Sequence, residues 1–292
     1  MQIRPIEENV ELLVNQYRNH SLSRRDFLAR LITITGSMAA THLLLESSGL
    51  AAELVSDTES KAAKVSSATV NYPSGDVQAG GYLSMPQADG KFPAVVVIHE
   101  NRGLNEHTRD VARRFAAEGF VALAPDALAR KSGTGSMKTP DEARAAIGSL
   151  TPEEAMADLK AALVYLNYFP QVQRGKLSSV GFCWGGARSF TLATQSELLR
   201  AAVVFYGSTP PIEQLANVRC PVLGLYGETD ERITSKVPET AAAMQQAGKS
   251  FEHKIYAGAG HAFFNDTGER YNAEAAKDAW SRTLSFLRTN LK

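Results

Sequence analysis

The amino-acid sequence predicts an α/β fold in which helices cover both faces of one mostly parallel sheet. From about residue 68 to the end of the chain, short apolar segments alternate with longer segments of helical periodicity. Several of the apolar segments, such as 94–99, are continuous runs, which are typical of parallel strands buried on both faces. With 292 residues, the chain is long enough to bury one large core.

The first two predicted strands form an antiparallel hairpin at the edge of the sheet. They cover residues 69–72 and 78–84, on either side of the turn formers Pro73, Ser74 and Gly75. The other predicted strands are apolar runs bounded by turn residues, at 94–99, 120–124, 177–182, 201–206, 221–226 and 252–256.

Helices are predicted between these strands. The helix at 107–118 ends at Gly119, which is a helix stop signal, and the helix at 153–168 begins with Thr151 as its cap. Periodicity predicts two further helices, at 237–246 and 273–287.

Residues 1–52 differ from the rest of the chain. Residues 23–28 read Ser-Arg-Arg-Asp-Phe-Leu and precede a moderately apolar stretch, which predicts a twin-arginine export signal and a periplasmic location. The alternative is a retained helical extension of a cytoplasmic protein, since residues 6–17 also have helical spacing. The small and polar residues 53–67 predict a linker ahead of the domain at 68–292.

Charge and cysteine content limit the classes of function. Lysine plus arginine number 31 and the acids number 31, which gives no support for binding nucleic acid or an anionic membrane. No run of 18 apolar residues occurs, so we expect no transmembrane span. Cys183 and Cys220 are predicted at opposite edges of the sheet, too far apart for a disulfide. No metal-ligand motif occurs, and we expect neither a metal nor a cofactor.

The most informative motif lies at a predicted junction of strand and helix. Residues 181–185 read Gly-Phe-Cys-Trp-Gly, which is a nucleophile elbow with cysteine where serine is usual. Gly181 and Gly185 relieve the crowding of a tight turn, and the Cys183 sulfur would stand beside the positive end of the following helix. The alternative for Cys183 is a buried structural thiol.

Two partners for this cysteine follow in the chain order of an α/β-hydrolase. Asp230 follows one predicted strand, and His261 follows the next in a glycine-rich loop. His261 would take the proton of Cys183, and Asp230 would orient the imidazole. Glu228 is the competing acid. We therefore expect the α/β-hydrolase fold.

Two backbone N–H groups would complete such a site as an oxyanion hole. The N–H of Trp184 directly follows the proposed nucleophile. The N–H of Asn101 lies in the loop after the predicted strand at 94–99.

The segment 68–292 resembles the dienelactone hydrolase family, also called carboxymethylenebutenolidases. The matching residues are Cys183 in Gly-Phe-Cys-Trp-Gly-Gly, Asp230, His261 in Gly-His-Ala-Phe, and Glu100 in Val-Ile-His-Glu-Asn-Arg-Gly. The resemblance implies an α/β-hydrolase that cleaves an ester or lactone through a thioester, without a cofactor. It also implies that Glu100 belongs to the catalytic set and is tied to a thiol that stays neutral until substrate displaces it.

The resemblance further implies two arginines that hold a substrate carboxylate. Arg130 matches the first, but Asn265 stands at the second position and can neither bind a carboxylate as an ion pair nor hold Glu100 as an arginine could. Arg102 is expected either to replace the missing charge or to pair with Glu100. Further expected pocket residues are Tyr206, Phe263, Phe264, Trp184 and His99.

We therefore expect a small-molecule ester or lactone as the substrate. One alternative is a broad short-chain esterase with a substrate unrelated to dienelactones. Another is a thiol redox-responsive protein that uses Cys183, although no resolving cysteine is expected within reach. A third is a binding protein on the same scaffold.

Overall fold

The computed structural model describes residues 65–292 continuously and ten earlier residues, which are Val10, Leu12, Leu13, Val14, Gln16, Phe27, Arg30, Leu31, Thr33 and Ile34. The chain forms two compact units, Met1–Glu59 and Ser60–Lys292. The described residues of the first unit are helical, and Phe27 and Leu31 among them are buried. Of the predicted twin-arginine segment only Phe27 is described, and residues 53–64 of the predicted linker lie outside the described residues.

The second unit contains an eight-stranded sheet with the order β1-β2-β4-β3-β5-β6-β7-β8. The strands are β1 (Val65–Ser74), β2 (Val77–Pro86), β3 (Phe92–Ile98), β4 (Val121–Pro125), β5 (Val172–Phe182), β6 (Leu199–Phe205), β7 (Val222–Gly227) and β8 (Phe251–Tyr256). β1 and β2 form an antiparallel hairpin, and β2 is also antiparallel to β4. The other neighbours are parallel. The predicted fold class and edge hairpin are confirmed.

The predicted linker at 53–67 is wrong at its end. Val65, Ser66 and Ser67 belong to β1 and pair with residues of β2. The small and polar composition of this segment does not predict a strand. It forms one nevertheless, because β2 supplies the hydrogen bonds of the ladder at the edge of the sheet.

Helices cover both faces of the sheet. Numbered from residue 65, they are α1 (Glu106–Ala117), α2 (Pro140–Gly148), α3 (Pro152–Tyr168), α4 (Trp184–Gln195), α5 (Glu231–Thr234), α6 (Val237–Gln246) and α7 (Ala273–Asn290). We did not predict α2, although Thr139 caps it and Pro140 occupies its first turn. In the part of the chain that the structure describes, no helix is both long and apolar enough to cross a membrane.

The apolar core has two layers because successive residues of the buried strands point to opposite faces. Val95 and Val97 of β3 belong to the layer that contains Phe115 of α1. Val96 belongs to the opposite layer, together with Leu163 of α3. The continuous apolar runs in the sequence therefore correspond to strands covered on both sides.

The register of the sheet brings the ends of several strands to one edge. Ile98 of β3 lies beside Gly181 of β5, and Phe182 of β5 lies beside Phe205 of β6. Residues just beyond these positions therefore meet at the carboxyl edge. Cys220 precedes β7 and lies at the opposite edge, and both cysteines are free thiols.

Candidate active site

Cys183 occupies a strained turn between β5 and α4. Its φ of 55° is in the left-handed region, which side chains other than glycine seldom adopt. A Cβ atom at Gly181 would collide with the carbonyl of Gly185, and one at Gly185 would collide with the carbonyls of Ile98 and His99. Glycine is needed at both positions because the turn packs directly against the end of β3.

Three side chains that are distant in sequence form one hydrogen-bonded chain. Nε2 of His261 lies 3.0 Å from Sγ of Cys183, and Nδ1 of His261 lies 2.5 Å from Oδ2 of Asp230. The Asp230 carboxylate can only accept, so Nδ1 carries a proton and Nε2 faces the thiol. Glu228, the competing acid, instead accepts the backbone N–H of Gly258 at 2.8 Å.

The environment of Cys183 keeps its sulfur protonated in the resting site. Burial, and next the negative charge of Glu100, raise the pKa of the Cys183 thiol to about 11. The backbone N–H of Trp184 and the cation of Arg232 oppose this shift by lowering the pKa. Because the pKa lies well above neutrality, the thiolate forms only when a base removes the proton.

Two neutral groups hold Glu100. The hydroxyl of Tyr206 donates to Oε1 at 3.1 Å, and the amide Nδ2 of Asn265 donates to Oε2 at 3.1 Å. The oxygen of the same amide accepts from the N–H and the hydroxyl of Thr267, at 3.1 and 2.7 Å. Asn265 therefore holds Glu100 through a neutral hydrogen bond, not through the ion pair that an arginine would form.

Arg102 does not form the expected ion pair with Glu100, and its expected role in replacing the missing charge stays a prediction. It is exposed in the turn after β3, and it forms no ion pair with Glu100 or with any other described residue. The Glu100 oxygens are already used by Tyr206 and Asn265.

The prediction that Tyr206 and Phe263 line a substrate pocket is wrong. Tyr206 is 1% exposed, and its hydroxyl is used by Glu100. Phe263 is fully buried against Phe205 and Tyr206, and Phe264 is buried beside it. Directly after His261, Ala262 has a φ of 65°, and the next two side chains enter the core.

The prediction that Arg130 binds a substrate carboxylate is also wrong. Its guanidinium forms two hydrogen bonds with the buried Asp158 of α3, at 2.9 and 2.7 Å, and lies 3.6 Å from Glu154. A bidentate partner already fills the donor face that a carboxylate would need.

His99, expected in the pocket, is instead buried and fully engaged. Its Nδ1 lies 2.6 Å from the carbonyl oxygen of Glu100, and its Nε2 accepts the N–H of Ala127 at 3.2 Å. Burial lowers the pKa of this histidine. Sequence analysis missed this role because Ala127 follows a different strand.

The predicted oxyanion donors, the N–H groups of Asn101 and Trp184, follow the ends of two neighbouring strands, β3 and β5. Asn101 follows the end of β3, and Trp184 directly follows Cys183 as the first residue of α4. Further along the Asn101 loop, the N–H of Leu104 donates to the hydroxyl of Thr134 at 3.0 Å, which fixes the loop from its other end.

A cavity of about 490 Å³ opens beside Asp230 and His261, and Arg270 and Tyr271 also line it. Among the residues that the structure describes, no group of three or more histidine, cysteine or acidic side chains is placed to hold a metal ion.

Comparison with known proteins finds relatives that match most of this chain. The model of the dienelactone hydrolase family matches residues 79–291. A "Putative carboxymethylenebutenolidase" of Methylorubrum extorquens is 31% identical over 280 residues, covering 92% of this chain and 95% of the relative. One of the same name from Saccharolobus solfataricus is 35% identical, covering 74% of this chain and 96% of its own.

The fold comparison gives the same result. The crystal structure of a "Putative Dienelactone Hydrolase" from Klebsiella pneumoniae matches with a TM-score of 0.71 and 30% identity, and the match covers 77% of this chain and 98% of that one. The chain therefore belongs to the dienelactone hydrolase family and is an ester or lactone hydrolase with the α/β-hydrolase fold.

Proposed function

We propose that the enzyme cleaves its ester or lactone with a Cys183-His261-Asp230 triad through a thioester intermediate. The distance of 3.0 Å between Sγ of Cys183 and Nε2 of His261 carries this proposal, together with the contact of Nδ1 with Asp230. A nucleophile, a base within hydrogen-bond reach and a group that orients the base are the parts that covalent acyl transfer requires.

The reaction proceeds in two steps. His261 takes the proton of Cys183 as the sulfur attacks the carbonyl carbon, and then returns this proton to the leaving alkoxide to release the alcohol. In a lactone the alcohol stays attached to the acyl group, because ring opening leaves both on one molecule. His261 next takes a proton from water, whose oxygen attacks the thioester. The acid leaves and the thiol of Cys183 is restored.

Two backbone N–H groups, those of Trp184 and Asn101, are proposed to stabilise the oxyanion that forms in each step. They lie at the carboxyl edge, one at the first residue of α4 after β5 and one in the turn after β3.

We propose that Glu100 keeps the resting thiol protonated. A carboxylate near the sulfur makes a second negative charge costly, and the raised pKa of Cys183 agrees with this role. A protonated thiol is also less prone to stray oxidation, because oxidation follows thiolate character.

We propose a neutral ester or lactone as the substrate. Arg130 is paired with Asp158, and the position of a second arginine holds the neutral Asn265. Neither of the two positions that would bind a substrate carboxylate therefore offers a free cation.

Hydrolysis of p-nitrophenyl acetate and of a panel of lactones with and without a carboxylate tests these proposals. We expect Cys183→Ala to lower kcat/KM by roughly 10³-fold or more, because triad members act as a unit. Cys220→Ala is the matched control and should keep nearly full activity. We expect mass spectrometry to find the acyl group on Cys183 after rapid acid quenching.

Two outcomes would contradict the proposal. Near wild-type hydrolysis by Cys183→Ala would show that Cys183 is not the nucleophile. A wild-type enzyme that hydrolyses no member of the panel, but forms a sulfenic acid on Cys183 with stoichiometric peroxide, would favour the redox alternative.

A further inference from the structure

The hydrogen bonds of His99 determine its tautomer. The backbone N–H of Ala127 can only donate, so Nε2 of His99, at 3.2 Å, accepts and carries no proton. Nδ1 therefore carries the proton of the neutral ring and donates to the carbonyl of Glu100 at 2.6 Å. A ring with both nitrogens engaged in this way cannot exchange protons with substrate.

The hydrogen bond to Glu100 fixes the orientation of a whole peptide unit. The carbonyl of Glu100 and the N–H of Asn101 belong to the same planar peptide, and no cis peptide bond occurs in the described part of the chain. In a trans peptide the two groups point in opposite directions. The donor at Nδ1 of His99 therefore sets the direction in which the N–H of Asn101 points.

His99 also contacts the second proposed oxyanion donor. Its ring stacks on the indole of Trp184, with centroids 5.3 Å apart and planes 10° from parallel. The backbone of His99 also lies against Gly185, where any side chain would collide with it. One fully buried residue thus contacts both proposed donor positions, the peptide that ends at Asn101 and the residue that begins α4.

We propose that His99 is a positioning residue for the oxyanion hole. Through Nδ1 it aligns the N–H of Asn101, and this bond carries its effect on catalysis, while its ring packs on Trp184 beside that peptide. The bond from Ala127, on the loop after β4, holds the ring in the required orientation. The inference rests on the proposed function, because it concerns the oxyanion of that reaction.

Two amide variants separate the two bonds of the ring. In His99→Asn the side-chain nitrogen takes the place of Nδ1 and can still donate to the carbonyl of Glu100. In His99→Gln the longer amide takes the place of Nε2 and meets Ala127, which leaves the Glu100 carbonyl without its donor. A purely packing role would make these two variants similar.

We expect His99→Gln to lower kcat for p-nitrophenyl acetate by roughly 10- to 100-fold with little change in KM, since one oxyanion donor can contribute 10²–10³. His99→Asn should stay within about fivefold of wild type, even where its Tm falls, because the Glu100 bond is kept. If His99→Gln does not fold, His99→Asn still tests the inference. A kcat of His99→Asn far below that of wild type would overturn it.

The rate at which iodoacetamide alkylates Cys183 distinguishes a lost oxyanion donor from a general structural defect, because only a structural defect would change this rate. This reaction displaces iodide from a saturated carbon, so it needs the same sulfur but no oxyanion donor. We expect the alkylation rate of His99→Gln to stay within about twofold of wild type while its hydrolysis falls. Equal losses in both reactions, or unchanged hydrolysis, would overturn the inference.

Wild type and Cys183→Ala are assayed in parallel to separate this inference from the proposed function. Absence of any Cys183-dependent hydrolysis in wild type would overturn the proposed function and with it the role of His99. Active wild type together with a fully active His99→Gln would overturn the role of His99 alone.

Discussion

The side-chain amide of Asn265 donates to the carboxylate of Glu100 at 3.1 Å, so a neutral residue holds the anion whose charge raises the pKa of Cys183. Thr267 orients this amide by donating twice to its oxygen. An arginine at position 265 would compensate the charge of Glu100, whereas asparagine leaves the full charge acting on the thiol.

The first prediction concerns the thiol of the resting enzyme. Since the pKa of Cys183 is about 11, alkylation by iodoacetamide should rise roughly tenfold per pH unit between pH 7 and pH 10. Glu100→Gln removes one cause of the raised pKa, so its profile should shift to lower pH and its rate at pH 7 should increase. Burial remains, so the shift should be partial. Glu213→Gln, an exposed carboxylate after β6, is the control, and identical profiles for both variants would contradict the prediction.

The second prediction concerns selectivity for charge. Asn265→Arg adds a cation next to Glu100. The negative charge of Glu100 will neutralise part of this added positive charge. We expect kcat/KM for carboxylate-bearing lactones to rise roughly tenfold relative to neutral esters, which corresponds to about 1.4 kcal/mol and to the low end for a hydrogen bond with a charged group. Asn265→Gln is the neutral control. A ratio that is the same in all three enzymes would place position 265 outside the reach of the substrate.

The third prediction distinguishes the two acids that follow β7. Asp230→Asn should lower kcat by roughly 10²–10⁴-fold, because the neutral amide no longer holds His261 in the productive tautomer. Glu228→Gln should change kcat by less than about threefold, because among the described residues that carboxylate binds only the backbone of Gly258. A larger effect at Glu228 than at Asp230 would reverse the assignment.

The fourth prediction concerns Arg130, whose partner is the buried Asp158. Arg130→Gln should lower the free energy of unfolding by roughly 1–3 kcal/mol, because it leaves a buried carboxylate without its charged donor. The ratio of kcat/KM for carboxylate-bearing and neutral substrates should stay unchanged. Lys131→Gln is the neighbouring control, since its amine donates a hydrogen bond to the exposed Ser149. A tenfold fall of that ratio in Arg130→Gln would indicate that Arg130 does bind the substrate carboxylate.

The fifth prediction concerns export. We propose that the segment 23–28 directs the protein to the periplasm by the twin-arginine route. Replacing Arg24 and Arg25 by lysine together should leave the full-length protein in the cytoplasm. Cell fractionation with an antibody to the hydrolase domain measures this. A full-length, uncleaved wild-type protein in the cytoplasm would favour the retained helical extension.

The sequence alone predicted the sheet, the hairpin at its edge and the order of the chemical groups along the chain. These features depend on local signals. Apolar runs mark strands that are buried on both faces, and the glycines around Cys183 mark a turn that no larger residue could make. In a parallel sheet the carboxyl ends of the strands meet at one edge, so chain order was enough to bring Cys183, Asp230 and His261 together.

The tertiary structure decided which partner each remaining polar side chain takes. Arg130 is 28 residues from Asp158, and Glu100 is 165 residues from Asn265, so no periodicity or local motif connects them. Hydrogen bonds and ion pairs depend on distances of about 3 Å and on direction, which the packing of helices and loops sets. For the same reason the sequence does not show that Tyr206, which follows a strand, and Phe263, two residues after His261, are buried in the core and do not line the pocket.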